Sequence, residues 1–142
     1  TQAAAPRSVP KPAPRTSSGF LWPVQGRGIS SYGAKAKGLR NDGINIAAPR
    51  GTPVRAAENG VVVYAGNELR GFGNLVLIKH AGGWVTAYAH TDQLKVQRGD
   101  KIKKGQRIAT VGSTGNVTSP QLHFELRKGK RPRDPRKLLR RV

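Results

Sequence analysis

Glycine recurs so closely along this chain that it leaves almost no uninterrupted window for a helix. The 142 residues include 18 glycines. Because glycine costs about 1 kcal/mol relative to alanine inside a helix, this spacing favours turns between short strands. Five apolar segments are predicted to be strands: Val61–Ala65, Asn74–His80, Trp84–His90, Arg107–Val111 and Gln121–Arg127. The pattern predicts a mainly β fold with little helix, the one candidate helix being Pro135–Arg141.

A weak internal repeat favours a compact β architecture. Residues 50–66 and residues 98–112 each read as a turn, a short strand, a second turn and a longer strand. Strands bounded by glycine are common in β proteins, so the repeat alone does not separate duplication from coincidence.

The chain divides into a polar segment and one domain. Residues 1–18 are rich in Ala, Pro, Ser and Thr and offer little apolar surface to bury, so they are predicted to be a disordered linker. Residues 19–142 are predicted to form the domain, with a basic C-terminal segment over residues 127–142. The sequence has no cysteine, which excludes disulfides and thiolate metal sites. No apolar run approaches the roughly 20 residues that a membrane span requires.

The chain is strongly basic, with 26 Lys and Arg against 7 Asp and Glu and a net charge of +19. A field of this sign attracts polyanions, and a solubilising surface with a basic tail is the equally weighted alternative. No motif of nucleic-acid recognition accompanies the charge, so nucleic acid is a minor candidate partner. The predicted polyanion-binding residues are Arg127, Lys128, Lys130, Arg131, Arg133 and Arg136.

Three short motifs carry the candidate chemistry. They are Asn41-Asp42-Gly43-Ile44-Asn45, Tyr88-Ala89-His90 and Gln121-Leu122-His123-Phe124-Glu125. Successive strand residues point to opposite faces, so Gln121 and His123 are expected to share one face while Leu122 packs behind. The framing resembles the zinc endopeptidases of the LytM/lysostaphin type, in which the first motif reads His-x-Gly-x-Asp and the last reads His-Leu-His.

The departures from that family fall on the residues that would bind the metal and act as base. Asn41 and Asn45 stand at two ligand positions, and a neutral amide is a poor zinc ligand. Gln121 replaces a catalytic imidazole and does not titrate near neutral pH, so it cannot serve as general base. His123 is the remaining ligand type, and His90 stands where the family keeps a catalytic histidine. The resemblance therefore implies no zinc, no other cofactor and no peptidase activity.

The stretch from Tyr64 to His80 resembles the non-enzymatic NlpD, EnvC and DipM branch of the same family. That branch implies an antiparallel β-sandwich, barrel-like and built on a duplicated motif, in the bacterial periplasm or cell envelope at the division site. It also implies activation of an N-acetylmuramyl-L-alanine amidase during cell-wall remodelling and division. A peptidoglycan-binding module and a residual zinc endopeptidase with an atypical site remain as alternatives.

The vacated groove is the predicted surface for a partner. Its candidate residues are Asn41, Asn45, Tyr88, His90, Gln121 and His123. For Tyr88 a place in the core and a place on the groove wall both remain open. His90 and His123 are interpreted as hydrogen-bonded structural histidines in preference to metal ligands.

Overall fold

A computed structural model describes residues 9–140 of the chain. Its regular structure consists of short strands and three single-turn 3-10 helices, at Ala36–Gly38, Ala81–Gly83 and Pro135–Lys137. No helix in this range is long and apolar enough to cross a membrane. In chain order the strands are β1 (Phe20–Leu21), β2 (Arg27–Ser30), β3 (Gly33–Ala34), β4 (Arg40–Asn41), β5 (Ile44–Ala47), β6 (Pro53–Arg55), β7 (Gly60–Gly66), β8 (Asn74–Lys79), β9 (Trp84–Leu94), β10 (Lys101–Ile102), β11 (Arg107–Val111), β12 (Gln121–Lys128), β13 (Arg131–Arg133) and β14 (Leu139–Arg140).

One antiparallel sheet organises the fold. Its strands follow the order β10-β7-β8-β9-β12-β5-β2, while β11 joins β9 to β6 and β13 pairs with β12. The mainly β, antiparallel fold class is confirmed, and all five predicted strands are present. Among residues 9–140 the ladder stays open, so the expected barrel-like shape does not extend to closure.

The two halves of the internal repeat exchange their short strands. β6 of the first half pairs with β11 of the second, and β10 of the second pairs with β7 of the first. Gly60 permits the close approach of β7 and β8, because a Cβ at this position would lie 2.5 Å from the Lys79 carbonyl oxygen. Each half thus contributes its short strand to pairing with the longer strand of the other half.

The candidate helix over Pro135–Arg141 does not form within the described residues, which end at residue 140. The segment begins with a single 3-10 turn, in which the Asp134 carboxylate accepts a hydrogen bond from the Arg136 N–H, and then continues as β14. β14 runs parallel to β1 and pairs Leu139 with Phe20. Both side chains are buried, so packing of this pair outweighs the local preference of a short basic segment.

Tyr88 belongs to the core, which corrects its prediction as a groove residue. The side chain is fully buried, with its ring edge-on to Phe124 at a centroid distance of 5.4 Å. Its hydroxyl accepts a hydrogen bond from the Ala57 N–H at 3.0 Å and lies 2.7 Å from Thr86 Oγ1. Burial raises the pKa of Tyr88 to about 12. A partner therefore has no access to this ring.

The segment before the predicted domain boundary contacts the domain. Thr16 Oγ1 lies 3.1 Å from both carboxylate oxygens of Glu58, which is itself fully buried. The Arg15 guanidinium lies over the rings of Phe20 and Trp84, at 4.9 and 5.6 Å from their centroids. The packed unit thus begins before Gly19. Residues 1–8 of the predicted linker lie outside the described residues.

Candidate functional site

Three neighbouring strands bring the predicted polar residues together. Asn45 on β5 pairs with His123 on β12, and Gln121 lies two residues before His123 on the same strand. Asn41 ends β4 and reaches Asn45 across the turn between the two strands. Leu122 is fully buried behind them, as alternation along β12 requires.

The amide side chains form a directed chain of hydrogen bonds. Asn41 Oδ1 accepts from the Gly43 backbone N–H at 3.0 Å, so Asn41 Nδ2 must face Asn45, to which it donates at 3.0 Å. Asn45 Nδ2 in turn donates to Gln121 Oε1 at 2.8 Å. Gln121 Nε2 then faces the Ser119 carbonyl oxygen at 3.3 Å. Because a backbone N–H only donates and a carbonyl only accepts, backbone groups fix the amide orientations at both ends.

Both ring nitrogens of His123 face hydrogen-bond acceptors. Nδ1 lies 3.0 Å from Asn45 Oδ1, and Nε2 lies 2.8 Å from Glu125 Oε2. Burial raises the pKa of Glu125, but hydrogen bonds and charge from His123 and Arg127 outweigh it and hold that pKa below its usual value. The carboxylate therefore accepts from Nε2, and both ring nitrogens of His123 already lie against side-chain oxygens.

A line of charges connects His123 to the surface. Arg127 Nη2 lies 2.7 Å from Glu125 Oε1 and 3.6 Å from Asp42 Oδ2, and Arg40 Nε lies 3.1 Å from Asp42 Oδ1. Arg127 was predicted to bind a polyanion. Its guanidinium instead bonds two carboxylates and supports the site, which corrects that assignment.

The other predicted polyanion-binding residues are all exposed: Lys128, Lys130, Arg131, Arg133 and Arg136. Two of them flank an aromatic ring, with Lys128 Nζ 4.9 Å and the Arg133 guanidinium 6.0 Å from the Trp84 centroid. Within residues 9–140, none of the five side chains forms an ion pair with a carboxylate. This surface therefore presents uncompensated positive charge.

His90 is held in an unusual backbone conformation at the edge of the site. Its φ of 65° lies in the left-handed region, which residues other than glycine rarely adopt. Nδ1 lies 2.9 Å from the Thr114 carbonyl oxygen and so donates to it, and the ring lies 6.0 Å from that of His123. Burial lowers the pKa of His90, with the neighbouring His123 contributing in the same direction.

The zinc ion of the resembling peptidases does not fit this donor set. Two of the three ligand positions hold amides that are bonded to one another, and both nitrogens of His123 already lie at hydrogen-bond distance from side-chain oxygens. Zinc binds deprotonated nitrogen, thiolate or carboxylate ligands. In the part of the chain that the structure describes, no group of three or more His, Cys, Asp or Glu side chains is arranged to hold a metal.

Most of the site is covered. His90, Gln121 and His123 are only 6%, 8% and 8% exposed, whereas Asn41 and Asn45 are half-buried. The prediction of an open groove lined by the histidines therefore requires correction. The surface presents the two asparagines, and the other residues lie beneath it.

Two glycine-containing loops form the cover, and the sequence analysis did not assign them to the site. The Phe72 ring lies 6.2 Å from that of His123, and the Asn116 N–H donates to the Gly71 carbonyl oxygen at 3.1 Å. Gly73 and Gly115 both have positive φ, and a Cβ on Gly115 would lie 2.5 Å from the Gly73 nitrogen. The loops touch backbone to backbone, which only glycine allows.

Exposed apolar side chains border the site, and these were also missed from the sequence. Ile29, Leu39 and Leu69 are the large hydrophobic residues exposed within residues 9–140. Ile29 precedes the residue that pairs with Asn45, and Leu39 precedes β4 by one residue. Leu69 lies in the loop that carries Phe72, whose N–H donates to the Leu69 carbonyl oxygen. We call Ile29, Leu39 and Leu69 the apolar rim.

Comparison with known proteins places this geometry among related domains. The sequence model of peptidase family M23 matches residues 39–135. The chain is 56% identical over 108 residues to the cell division protein DipM of Caulobacter vibrioides, covering 76% of this chain and 18% of DipM. It is 49% identical over 114 residues to the murein hydrolase activator NlpD of Escherichia coli, covering 80% of this chain and 29% of NlpD. The chain thus spans a minor part of each relative's length.

Solved structures of an M23 protein and of the peptidase lysostaphin share the fold. The catalytic domain of the prophage-encoded M23 protein EnpA from Enterococcus faecalis superposes with a TM-score of 0.71 at 36% identity, over 87% of this chain and 95% of that one. Lysostaphin from Staphylococcus simulans superposes with a TM-score of 0.73 at 29% identity, over 85% of this chain and 53% of that one.

Proposed function

Because the chain belongs to peptidase family M23, we propose that it is a non-catalytic LytM domain that binds and activates a peptidoglycan amidase during cell-wall remodelling and division. The amide chain through Asn41, Asn45 and Gln121, fixed by backbone groups at both ends, carries this proposal. Asn41 and Asn45 stand where the resembling peptidases keep two metal ligands, and Gln121 stands where they keep a catalytic histidine. Relatives named as a murein hydrolase activator and as a cell division protein support the same function.

The absence of catalysis follows from the chemistry of the residues. Metal-dependent hydrolysis requires an ion that polarises the substrate carbonyl and lowers the pKa of a bound water. Neutral amides replace the ligands, and Gln121 cannot accept a proton near neutral pH. We expect the purified domain to bind no stoichiometric zinc by elemental analysis. One tightly held zinc ion per chain, lost on substitution of His123, would instead support the residual endopeptidase.

The docking surface proposed for the amidase consists of Asn41, Asn45 and the apolar rim. Asn41 and Asn45 are half-buried, and the residues of the apolar rim are exposed in or beside segments that form the site. Shifting an amidase from a mostly closed to a mostly open state requires about 5.5 kcal/mol of differential affinity. Small clusters of apolar and hydrogen-bonding residues supply such energies at interfaces. His90, Gln121 and His123 support the surface from beneath.

Release of dye from labelled peptidoglycan by purified N-acetylmuramyl-L-alanine amidases tests the proposal. The parent domain is expected to accelerate release by a responsive amidase and to release no dye alone. Asn45→Arg and Leu39→Asp are each expected to abolish activation, because they place a charge on the docking surface. Gln97→Arg is the matched control for Asn45→Arg, because it adds the same positive charge at an exposed position on another part of the molecule.

The outcomes separate activation from simple wall binding. If no amidase responds, or if Asn45→Arg activates as well as the parent, the docking surface is wrong. Cosedimentation of the domain with peptidoglycan in the absence of any response would identify a wall-binding module. Circular dichroism of each variant confirms that a loss of activation does not arise from unfolding.

The same proposal places the domain in the periplasm or cell envelope, at the division site. Relatives of this chain include lipoproteins as well as a cell division protein. The exposed basic residues of β13 and its flanks would hold the domain on anionic envelope polymers. A fluorescent fusion that remains dispersed during constriction would contradict this location.

A further inference from the structure

A second cavity lies away from the candidate site, where β10 forms the opposite end of the strand path from β5 and β2. Its volume is about 370 Å³. Three lysines line it, Lys11, Lys101 and Lys103, and the apolar residues Ala13, Val61 and Ile102 provide the rest of the wall together with Asn59 and Gly60. A cavity of this size accommodates a small polar ligand.

Two of the lysines flank a buried residue at the end of β10. Ile102 is buried in the core, with 3% of its surface exposed. Lys101 on β10 and Lys103, which directly follows the strand, are both exposed. The third lysine, Lys11, comes from the N-terminal segment.

Side-chain hydrogen bonds fix the two walls relative to one another. Asn59 Nδ2 donates to the Pro14 carbonyl oxygen at 3.1 Å, and Asn59 Oδ1 accepts from the Lys104 N–H at 2.9 Å. One amide therefore ties the N-terminal segment to the turn that follows β10. The contact of Thr16 with the buried Glu58 carboxylate holds the same segment nearby.

The positive charge in the cavity is not compensated. No acidic residue lines it, and within residues 9–140 none of the three lysines forms an ion pair with a carboxylate. Glu58 is fully buried and is occupied by Thr16 and the Asn59 N–H, so it is not available to them. Three lysines thus line one concave surface that has no acidic residue in its lining.

We propose that this cavity binds a phosphomonoester. A phosphomonoester carries a charge of about −1.5 to −2 at neutral pH and presents three strong acceptor oxygens, which matches three lysine donors. A planar carboxylate offers a single charge and two oxygens. The exposed Ala13 side chain would pack against the organic part of the ligand. The phosphate belongs either to a soluble ester or to a lipid head group.

Two arms of one experiment distinguish the sources. In the first, glycerol phosphate is titrated into the domain and the amide NMR shifts of residues 101–104 are followed. In the second, the domain is sedimented with phosphatidylcholine vesicles that contain phosphatidic acid, a monoester lipid. Binding in the first arm identifies a soluble ester, and binding in the second alone identifies a lipid head group. Either result supports the site.

Matched variants separate the cavity from general charge. Lys101→Gln with Lys103→Gln should weaken binding by at least about tenfold, because two charge-assisted hydrogen bonds are lost. Lys35→Gln with Lys37→Gln removes the same charge from exposed positions elsewhere and should leave affinity within about twofold, as expected for screened surface charge.

Three results would overturn the inference. The first is an equal loss of affinity in both double variants, and the second is equal binding to vesicles that contain phosphatidylglycerol, a diester lipid. The third is the absence of binding in both arms.

Discussion

The buried His80 makes the stability of this domain depend on pH between about 6.5 and about 4. The side chain is 1% exposed, and burial lowers its pKa from 6.5 to about 4. Its Nδ1 lies 2.8 Å from the Asn59 carbonyl oxygen, and its Nε2 lies 2.8 Å from Thr86 Oγ1. The carbonyl only accepts, so Nδ1 carries the proton and Nε2 accepts from the threonine hydroxyl. The ring is neutral in the folded protein.

The direction of this pH dependence follows from the unfolded chain, in which the histidine has a pKa near 6.5. As the pH falls, the unfolded chain therefore binds a proton at this histidine before the folded protein does. The contribution of His80 is therefore complete above pH 6.5 and is lost as the pH falls toward 4. At about 1.4 kcal/mol per pH unit, the full loss is about 3 kcal/mol, and about 2 kcal/mol of it is gone at pH 5. The pKa values of Glu58 and Glu125 are lowered from 4.5, so the contributions of these carboxylates are lost mainly at the acid end of this window and below it.

Urea unfolding at pH 7 and at pH 5 measures this loss for the parent and for His80→Gln. Glutamine can donate to the Asn59 carbonyl and accept from Thr86 without titrating. The free energy of unfolding should fall between the two pH values by about 2 kcal/mol more in the parent than in the variant. An equal fall in both proteins would show that His80 is not the group responsible.

Three further predictions concern other parts of the molecule. The triple variant Asn41→His, Asn45→Asp and Gln121→His should gain measurable zinc affinity by calorimetry. The reason is that Asn45 already lies at hydrogen-bond distance from Asn41, Gln121 and His123. Thr16→Val should lower the free energy of unfolding by about 1–2 kcal/mol, since it deprives the buried Glu58 carboxylate of a donor, whereas Ser18→Ala should change it little. Binding to anionic envelope polymers should weaken steeply with added salt. Charge reversal at Arg131, Arg133 and Arg136 should reproduce that weakening.

The strands could be predicted because their signal is local. Apolar segments between glycines define β7, β8, β9, β11 and β12, and each lies where the pattern indicated. The strand β14 could not be predicted, because Leu139 is extended only through its pairing with β1. That strand lies more than a hundred residues earlier in the chain. The contacts of Arg15 and Thr16 could not be predicted either, because they are also long-range. A polar segment rich in proline does not indicate which residues it packs against.

The site was predicted in part. The convergence of Asn45, Gln121 and His123 follows from motif spacing and from alternation along one strand. Tyr88 was misplaced because strict alternation puts it on the same face as His90. The left-handed backbone at His90 interrupts that alternation, so one ring enters the core while the other turns toward His123. For residues other than glycine, no pattern of residue types predicts such a backbone conformation.

The directed chain of amides has a consequence for how such a site changes over time. Each amide donates to the next in one direction, so an aspartate at position 45 alone would set a carboxylate oxygen against Gln121 Oε1. A histidine at position 41 alone would remove the acceptor of the Gly43 N–H. Each of these two single substitutions therefore breaks a hydrogen bond before the ligand set is complete. We expect such a site to regain its ligands only through several simultaneous substitutions.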